Sequence, residues 1–281
     1  MQPNICHQTI GDMSMAYLEY PGDGPTVLIL HATGFLPWLW HPIARDLAGA
    51  YRVIVPSLFD HRVIDPDNGW LGWRDLAGDV TLLCDRLQLH RPMMVGHSMG
   101  AAVLTLSHTV HGLDTGKLVL IEPIFLPGEF YGAKISREQH PMAAKAIRRR
   151  NGWSDRDEAW AYFQSKSFFQ SWDREVLALY LAHGIIGDNG NGLRLACSPE
   201  REAALFMGSI QHDPWPELAR VTPPALVMEG GQSENKPFID LKQVAVSIPL
   251  GRYHEVQDAG HLIPMERPVE TLGVIRSFLD G

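Results

Sequence analysis

The chain has 281 residues, enough for one large α/β domain carrying an insertion or for two small domains, and a chain of this size buries about three-quarters of its unfolded surface without staples. A formal net charge of -8 argues against nucleic acid as a partner, and the one dense basic cluster, Arg148, Arg149 and Arg150, reads as the solvated C-terminal end of a helix. Cys6, Cys84 and Cys197 are odd in number, far apart and in no C-x-x-C spacing, which speaks against a disulfide framework and against a zinc site.

Continuous apolar runs at 27–30, 53–55, 93–95, 118–121 and 225–228 have the pattern of parallel strands buried on both faces. After the first comes the turn His31-Ala32-Thr33-Gly34-Phe35. Leu76, Val80, Leu83 and Leu87 share one face of a helix that follows the second. The third runs into Gly96-His97-Ser98-Met99-Gly100, a serine between two glycines at a strand-to-helix junction. In such an elbow the serine backbone takes a strained conformation with positive φ, and the residues two before and two after it must be small. The fourth run is followed by Glu122.

The stretch between Ile121 and Ala225 is far longer than one crossover helix requires, so most of it is an insertion. Ser136 with Gln139 resembles a capping box, and Ser198-Pro199-Glu200 supplies an N-cap, a first-turn proline and early negative charge. Trp153, Trp160, Tyr162, Phe163, Phe168, Phe169 and Trp172 read as the small core of this helical insertion, a pocket-lining role for some of them being left open. The segment 187–192 reads as a turn. After the fifth run comes the glycine-rich loop Glu229-Gly230-Gly231-Gln232-Ser233-Glu234-Asn235. A further strand at 252–256 leads to the loop carrying Gly260-His261, and a last helix presents Val269, Leu272, Ile275 and Leu279. Alternating strands and helices imply a doubly wound sheet with its functional groups at the carboxyl ends of the strands.

A serine hydroxyl needs a base to take its proton, and the base needs an acceptor to hold its tautomer. His261 is the expected base for Ser98. Glu234 is the favoured acid, with Glu122 its rival. The amides of Met99 and Thr33 are the expected oxyanion donors, with Gly34 as fallback, and the His31 side chain is expected to pin its own loop. Phe35, His97 and Phe125 are the candidate substrate contacts. His108 and His111 share a helix face, but no third ligand accompanies them, so no metal site is expected.

On the turn at His31, the G-H-S-M-G elbow at Ser98, the G-H-x-x-P loop at His261 and the order serine, acid, histidine, the chain resembles the α/β-hydrolase superfamily over about 11–123 and 223–281. The resemblance implies an eight-stranded, mostly parallel sheet, with core at 1–123 and 214–281 and a helical cap at 124–213. It implies no cofactor, and acyl transfer from a small ester-like substrate to Ser98 and then to water. Carbon-carbon hydrolases, lactonases and perhydrolases of the superfamily use the same groups, and a ligand-binding receptor-like hydrolase is a further reading. Serine at position 98 disfavours dehalogenase and epoxide hydrolase chemistry, in which a carboxylate attacks carbon. The segment Pro56-Ser57-Leu58-Phe59-Asp60-His61-Arg62 departs from the aspartate, arginine and glycine turn of many relatives, and either leaves His61 on the surface or turns it toward substrate. The opening residues lack a basic-then-apolar leader and no apolar run reaches membrane-spanning length, so a soluble cytoplasmic protein with no membrane partner is expected, a homodimer being left open.

Overall fold

The computed structural model describes residues 1–65, 69–190 and 192–281. Its strands are β1 (Asn4–Ile10), β2 (Met13–Tyr20), β3 (Thr26–Leu30), β4 (Arg52–Pro56), β5 (Met93–His97), β6 (Leu118–Ile121), β7 (Ile185–Gly187), β8 (Leu193–Leu195), β9 (Ala225–Gly230) and β10 (Gly251–Val256). β7 and β8 form a separate ribbon, and the remaining strands make one 8-stranded sheet in the order β1-β2-β4-β3-β5-β6-β9-β10. From β4 to β10 neighbours run parallel, whereas β1 and β2 are antiparallel, as are β2 and β4. The helices are α1 (His41–Leu47), α2 (Trp73–Arg86), α3 (Met99–Thr109), α4 (Pro141–Ile147), α5 (Arg156–Gln164), α6 (Arg174–His183), α7 (Pro199–Gly208), α8 (Leu241–Ser247), α9 (Ile263–Glu266) and α10 (Pro268–Asp280).

Successive side chains on a strand point to opposite faces, so the all-apolar runs feed two cores at once. Val27, Ile29, Val95, Val119 and Ile121 pack with Ile43, Leu47, Ile275 and Leu279 from α1 and α10. Leu28, Leu30, Met94, Leu118 and Leu120 pack with Leu76, Val80, Leu83, Val103 and Leu104 from α2 and α3. Each of these side chains contributes about 1.5–3 kcal/mol by leaving water, which is why the sheet needs helices on both faces. This is the α/β-hydrolase fold that the sequence resembles. Among the described residues no helix is long and apolar enough to cross a membrane.

The hairpin β1–β2 is absent from the apolar pattern because β1 lies at the sheet edge and alternates exposed with half-buried residues. Its turn is Gly11-Asp12, with Gly11 at φ 59. Three helix details also differ from expectation. Val269 is 83% exposed, and α10 instead buries Pro268, Thr271, Ile275 and Leu279. α4 starts at Pro141 with His140 as its cap, although Ser136 N–H still donates to Gln139 at 2.8 Å. Leu87 caps α2 rather than extending it. The cap at Ser198 forms as read, its hydroxyl accepting from Arg201 N–H at 3.3 Å.

The segment between β6 and β9 holds α4 to α7 and the ribbon β7–β8. The turn read at 187–192 joins that ribbon, although Asn191 lies outside the described residues. Trp153, Phe163, Phe169 and Trp172 are buried there as expected, while Trp160 and Phe168 are exposed.

Candidate active site

Ser98 sits between the end of β5 and the first residue of α3, at φ 55 and ψ -117. The flanking glycines are required by space. A methyl group on Gly96 would lie 2.6 Å from Ala101 N, and one on Gly100 2.5 Å from the Leu30 carbonyl oxygen. The strained turn lets α3 approach β3 closely and fixes the hydroxyl at the carboxyl edge of the sheet.

His261, in the loop after β10, places Nε2 3.0 Å from Ser98 Oγ. Its Nδ1 lies 2.9 Å from Glu122 Oε2. The favoured acid of the sequence reading is therefore displaced: Glu234 is exposed and its carboxylate only accepts from the His261 backbone N–H, at 3.4 Å. The cause is backbone geometry. Glu122 follows β6 directly, β6 pairs with β5, and φ 46 at Glu122 swings its side chain back toward the imidazole. Glu234 lies farther out on the loop after β9, beyond the tight turn at Gly230 and Gly231. Glu122 is 1% exposed, yet Gly230 N–H donates to Oε1 at 2.7 Å and Ser233 Oγ to Oε2 at 2.8 Å. These donors answer the desolvation that a buried carboxylate suffers. The Asn235 amide also lies 2.9 Å from His261 Nδ1. An amide N–H cannot bond to a protonated Nδ1, so with Nδ1–H donating to Glu122 the amide oxygen is the group that fits there.

The turn after β3 lies against the elbow, since a side chain on Gly100 would strike the carbonyls of Leu30 and His31. Thr33 is buried, Gly34 has φ 75, and Met99 opens α3 with its amide at the positive end of the helix. His31 pins this turn as expected: Nδ1 bonds the Ala32 carbonyl at 2.8 Å and Nε2 accepts from Leu58 N–H at 3.0 Å. Burial lowers its pKa to about 4, so it stays neutral.

Two of the candidate substrate contacts are corrected. His97 is fully buried, and its Nε2 bonds the His261 carbonyl at 2.9 Å, so it holds the loop of the base rather than a ligand. Burial, with nearby His261 adding to the effect, lowers its pKa to about 3. Phe125 is also fully buried, with its ring 6.4 Å from that of Trp215. Phe35 is buried beside the turn after β3, edge-on to Trp172 at 5.4 Å and to Tyr180 at 6.3 Å between ring centres.

Those two rings belong to the inserted segment, Trp172 among the aromatics read from the sequence and Tyr180 not singled out there. Asp173 N–H donates to the Met265 carbonyl at 2.8 Å, tying the inserted segment to the stretch that follows His261. Behind Tyr180 lies Arg149, which pairs with Glu202 and donates to Tyr180 Oη at 2.9 Å. Of the basic cluster, Arg148 and Arg150 are exposed as read, Arg150 pairing with Glu158 and lying over Trp153 and Tyr162, whereas Arg149 is half-buried. No sequence signal marked Arg149, because its partners come from α6 and α7.

The His61 side chain is buried rather than on the surface, its Nε2 bonding Asp79 at 2.9 Å, beside Arg62. His108 bonds the Leu113 carbonyl and His111 the Arg74 carbonyl, each at 2.9 Å. Among the described residues no three His, Cys, Asp or Glu side chains gather as metal ligands.

A mostly parallel sheet bearing a strained serine, with an imidazole and a buried carboxylate in line behind it, is the architecture of an α/β-fold hydrolase. The alpha/beta hydrolase family model matches residues 27–274, and the chain belongs to that family. It is 33% identical over 84 residues to the magnesium-chelatase 30 kDa subunit of Rhodobacter capsulatus, a match that covers 30% of this chain and 30% of that protein. It is 23% identical over 275 residues to esterase YbfF of Escherichia coli, covering 92% of this chain and 94% of the relative. Among solved structures it is similar to E-2-(acetamidomethylene)succinate hydrolase, with a TM-score of 0.84, 20% identity and complete coverage of both chains (100% each), a likeness that shows the fold.

Proposed function

We propose that the protein is a serine hydrolase that cleaves a carboxylic ester of a small, partly apolar substrate beneath a helical cap at 124–213. Ser98 is the nucleophile, His261 the general base and Glu122 the acid. The observation that carries this reading is the unbroken chain of contacts, 3.0 Å from Ser98 Oγ to His261 Nε2 and 2.9 Å from His261 Nδ1 to Glu122 Oε2.

In the proposed cycle Ser98 Oγ attacks the acyl carbon as its proton passes to His261 Nε2, and Glu122 stabilises the resulting imidazolium. The amides of Met99 and Thr33 hold the tetrahedral oxyanion, a contribution of about 3 kcal/mol per donor in comparable sites. Collapse expels the alcohol, which takes the proton from His261. Water then attacks the acyl-serine, giving its proton to His261, and the carboxylic acid leaves as that proton returns to Ser98. The ester reading draws support from the similarity to esterase YbfF along nearly the whole chain, 92% of its length.

A fluorophosphonate should label intact protein at Ser98, located by mass spectrometry. Ser98→Ala should lose p-nitrophenyl ester turnover by about 10⁴-fold. Retention of most activity by that variant would remove the proposal. Lactones and vinylogous diketones assayed beside the esters identify the preferred bond.

A further inference from the structure

A half-buried cation, Arg149, stands near the turn after β3 with a buried counter-ion in place, its side chain 26% exposed against 10% for that of Glu202. Arg149, just past the end of α4, pairs through Nη1 with Glu202 Oε2 of α7, and its Nη2 donates to Tyr180 Oη of α6 at 2.9 Å. Tyr180 is 1% exposed and Glu202 8%. The other oxygen of Glu202 faces the turn after β3: a methyl group on Gly34 would lie 2.7 Å from Glu202 Oε1. Phe35, one residue on, meets Tyr180 and Trp172 edge to face. The Trp172 ring N–H is buried with no hydrogen-bond partner among the described residues, a neutral donor suited to a carbonyl oxygen.

Burying an ion pair contributes little stability compared with an apolar replacement of the same size, so its place in this fold is better explained by what it does to a ligand. An uncompensated guanidinium here would attract a carboxylate-bearing substrate, because Tyr180 and Glu202 on its inner side are withdrawn from water. With Glu202 opposite, the pair is neutral overall and turns its anionic oxygen toward the turn. Resting on the proposed function above, we infer that Glu202 is a specificity-determining residue which, as the counter-ion of Arg149, makes the pocket select uncharged acyl groups over those carrying a carboxylate.

The test compares kcat/KM for p-nitrophenyl butyrate with that for the mono-p-nitrophenyl ester of succinic acid. Wild-type protein favours the butyrate. Glu202→Gln keeps the side-chain shape, leaves Arg149 uncompensated, and shifts the ratio toward the succinate monoester by about tenfold or more. Arg149→Gln removes the cation, burial then keeps Glu202 protonated, and the preference for the butyrate persists, so the inference stays exposed to failure even when one variant does not fold. A wild-type preference for the succinate monoester overturns it, as do equal losses on both esters in Glu202→Gln, which is the signature of a merely structural role. Absence of wild-type turnover on either ester removes the hydrolase reading and this inference together.

Discussion

The core sheet and the segment inserted between β6 and β9 hold their buried charges in opposite ways. In the core, Glu122 stands at a strand end and is satisfied by Gly230 N–H, Ser233 Oγ and His261, groups fixed by neighbouring strands and their loops. In the inserted segment, Arg149 and Glu202 satisfy each other across two helices, with Tyr180 from a third. Under the proposed function the difference separates reactivity from selectivity. Ser98 and Glu122 owe their positions to backbone conformation, φ 55 and φ 46, whereas the inserted segment owes its character to side chains that meet only after folding.

The largest expected effect breaks the core side of this contrast. Glu122→Gln should lower kcat by about 10³–10⁴-fold, because the imidazolium loses its acceptor, while Glu234→Gln should change it less than about threefold. Steady-state kinetics on one ester decides, and the reverse order would return the acid to the loop after β9. Next, Gly100→Ala drives a methyl group to 2.5 Å from a backbone carbonyl that cannot yield, and should cost about 2–4 kcal/mol in urea unfolding. Wild-type stability in that variant would mean the elbow is far softer than its geometry implies.

A third effect is a pH dependence. Burial holds His31 and His97 neutral, lowering their pKa values to about 4 and about 3. In the unfolded chain both take up protons from near pH 6.5, so below that pH the unfolded state binds more protons than the native one and stability falls as pH falls. The loss runs from about pH 6.5 down to the folded values, at up to about 1.4 kcal/mol per pH unit for each histidine. Thermal unfolding between pH 7 and pH 5 should show it, and a flat profile would refute neutral burial. The smallest effect belongs to the boundary between the two regions. Arg45 on α1 donates to Glu175 on α6 at 3.0 Å, with both side chains in solvent, so Glu175→Gln should cost less than about 0.5 kcal/mol.

Ser98 and His261 were legible because each is announced by neighbours in the chain, two glycines for the serine and Gly260 for the histidine. The sheet was legible because its parallel strands are apolar on both faces. Glu122 was underweighted because choosing between two carboxylates requires knowing that β6 lies next to β5, a tertiary fact. Its own signal was present, since it follows the fourth apolar run with nothing between, whereas Glu234 stands well out along its loop. The edge hairpin β1–β2 escaped because half-exposed alternation in β1 carries little hydrophobic signal. Arg149 escaped because a triple arginine reads as solvated until α6 and α7 are folded against it.

The hydrogen bond from Asp173 N–H to the Met265 carbonyl has a mechanical corollary. Met265 lies four positions beyond the imidazole, on the same short α9 that follows it. A displacement of the inserted segment at Asp173 must therefore break that bond or pull on the chain that carries His261, so under the proposed function admitting a molecule and being ready to act on it are coupled events.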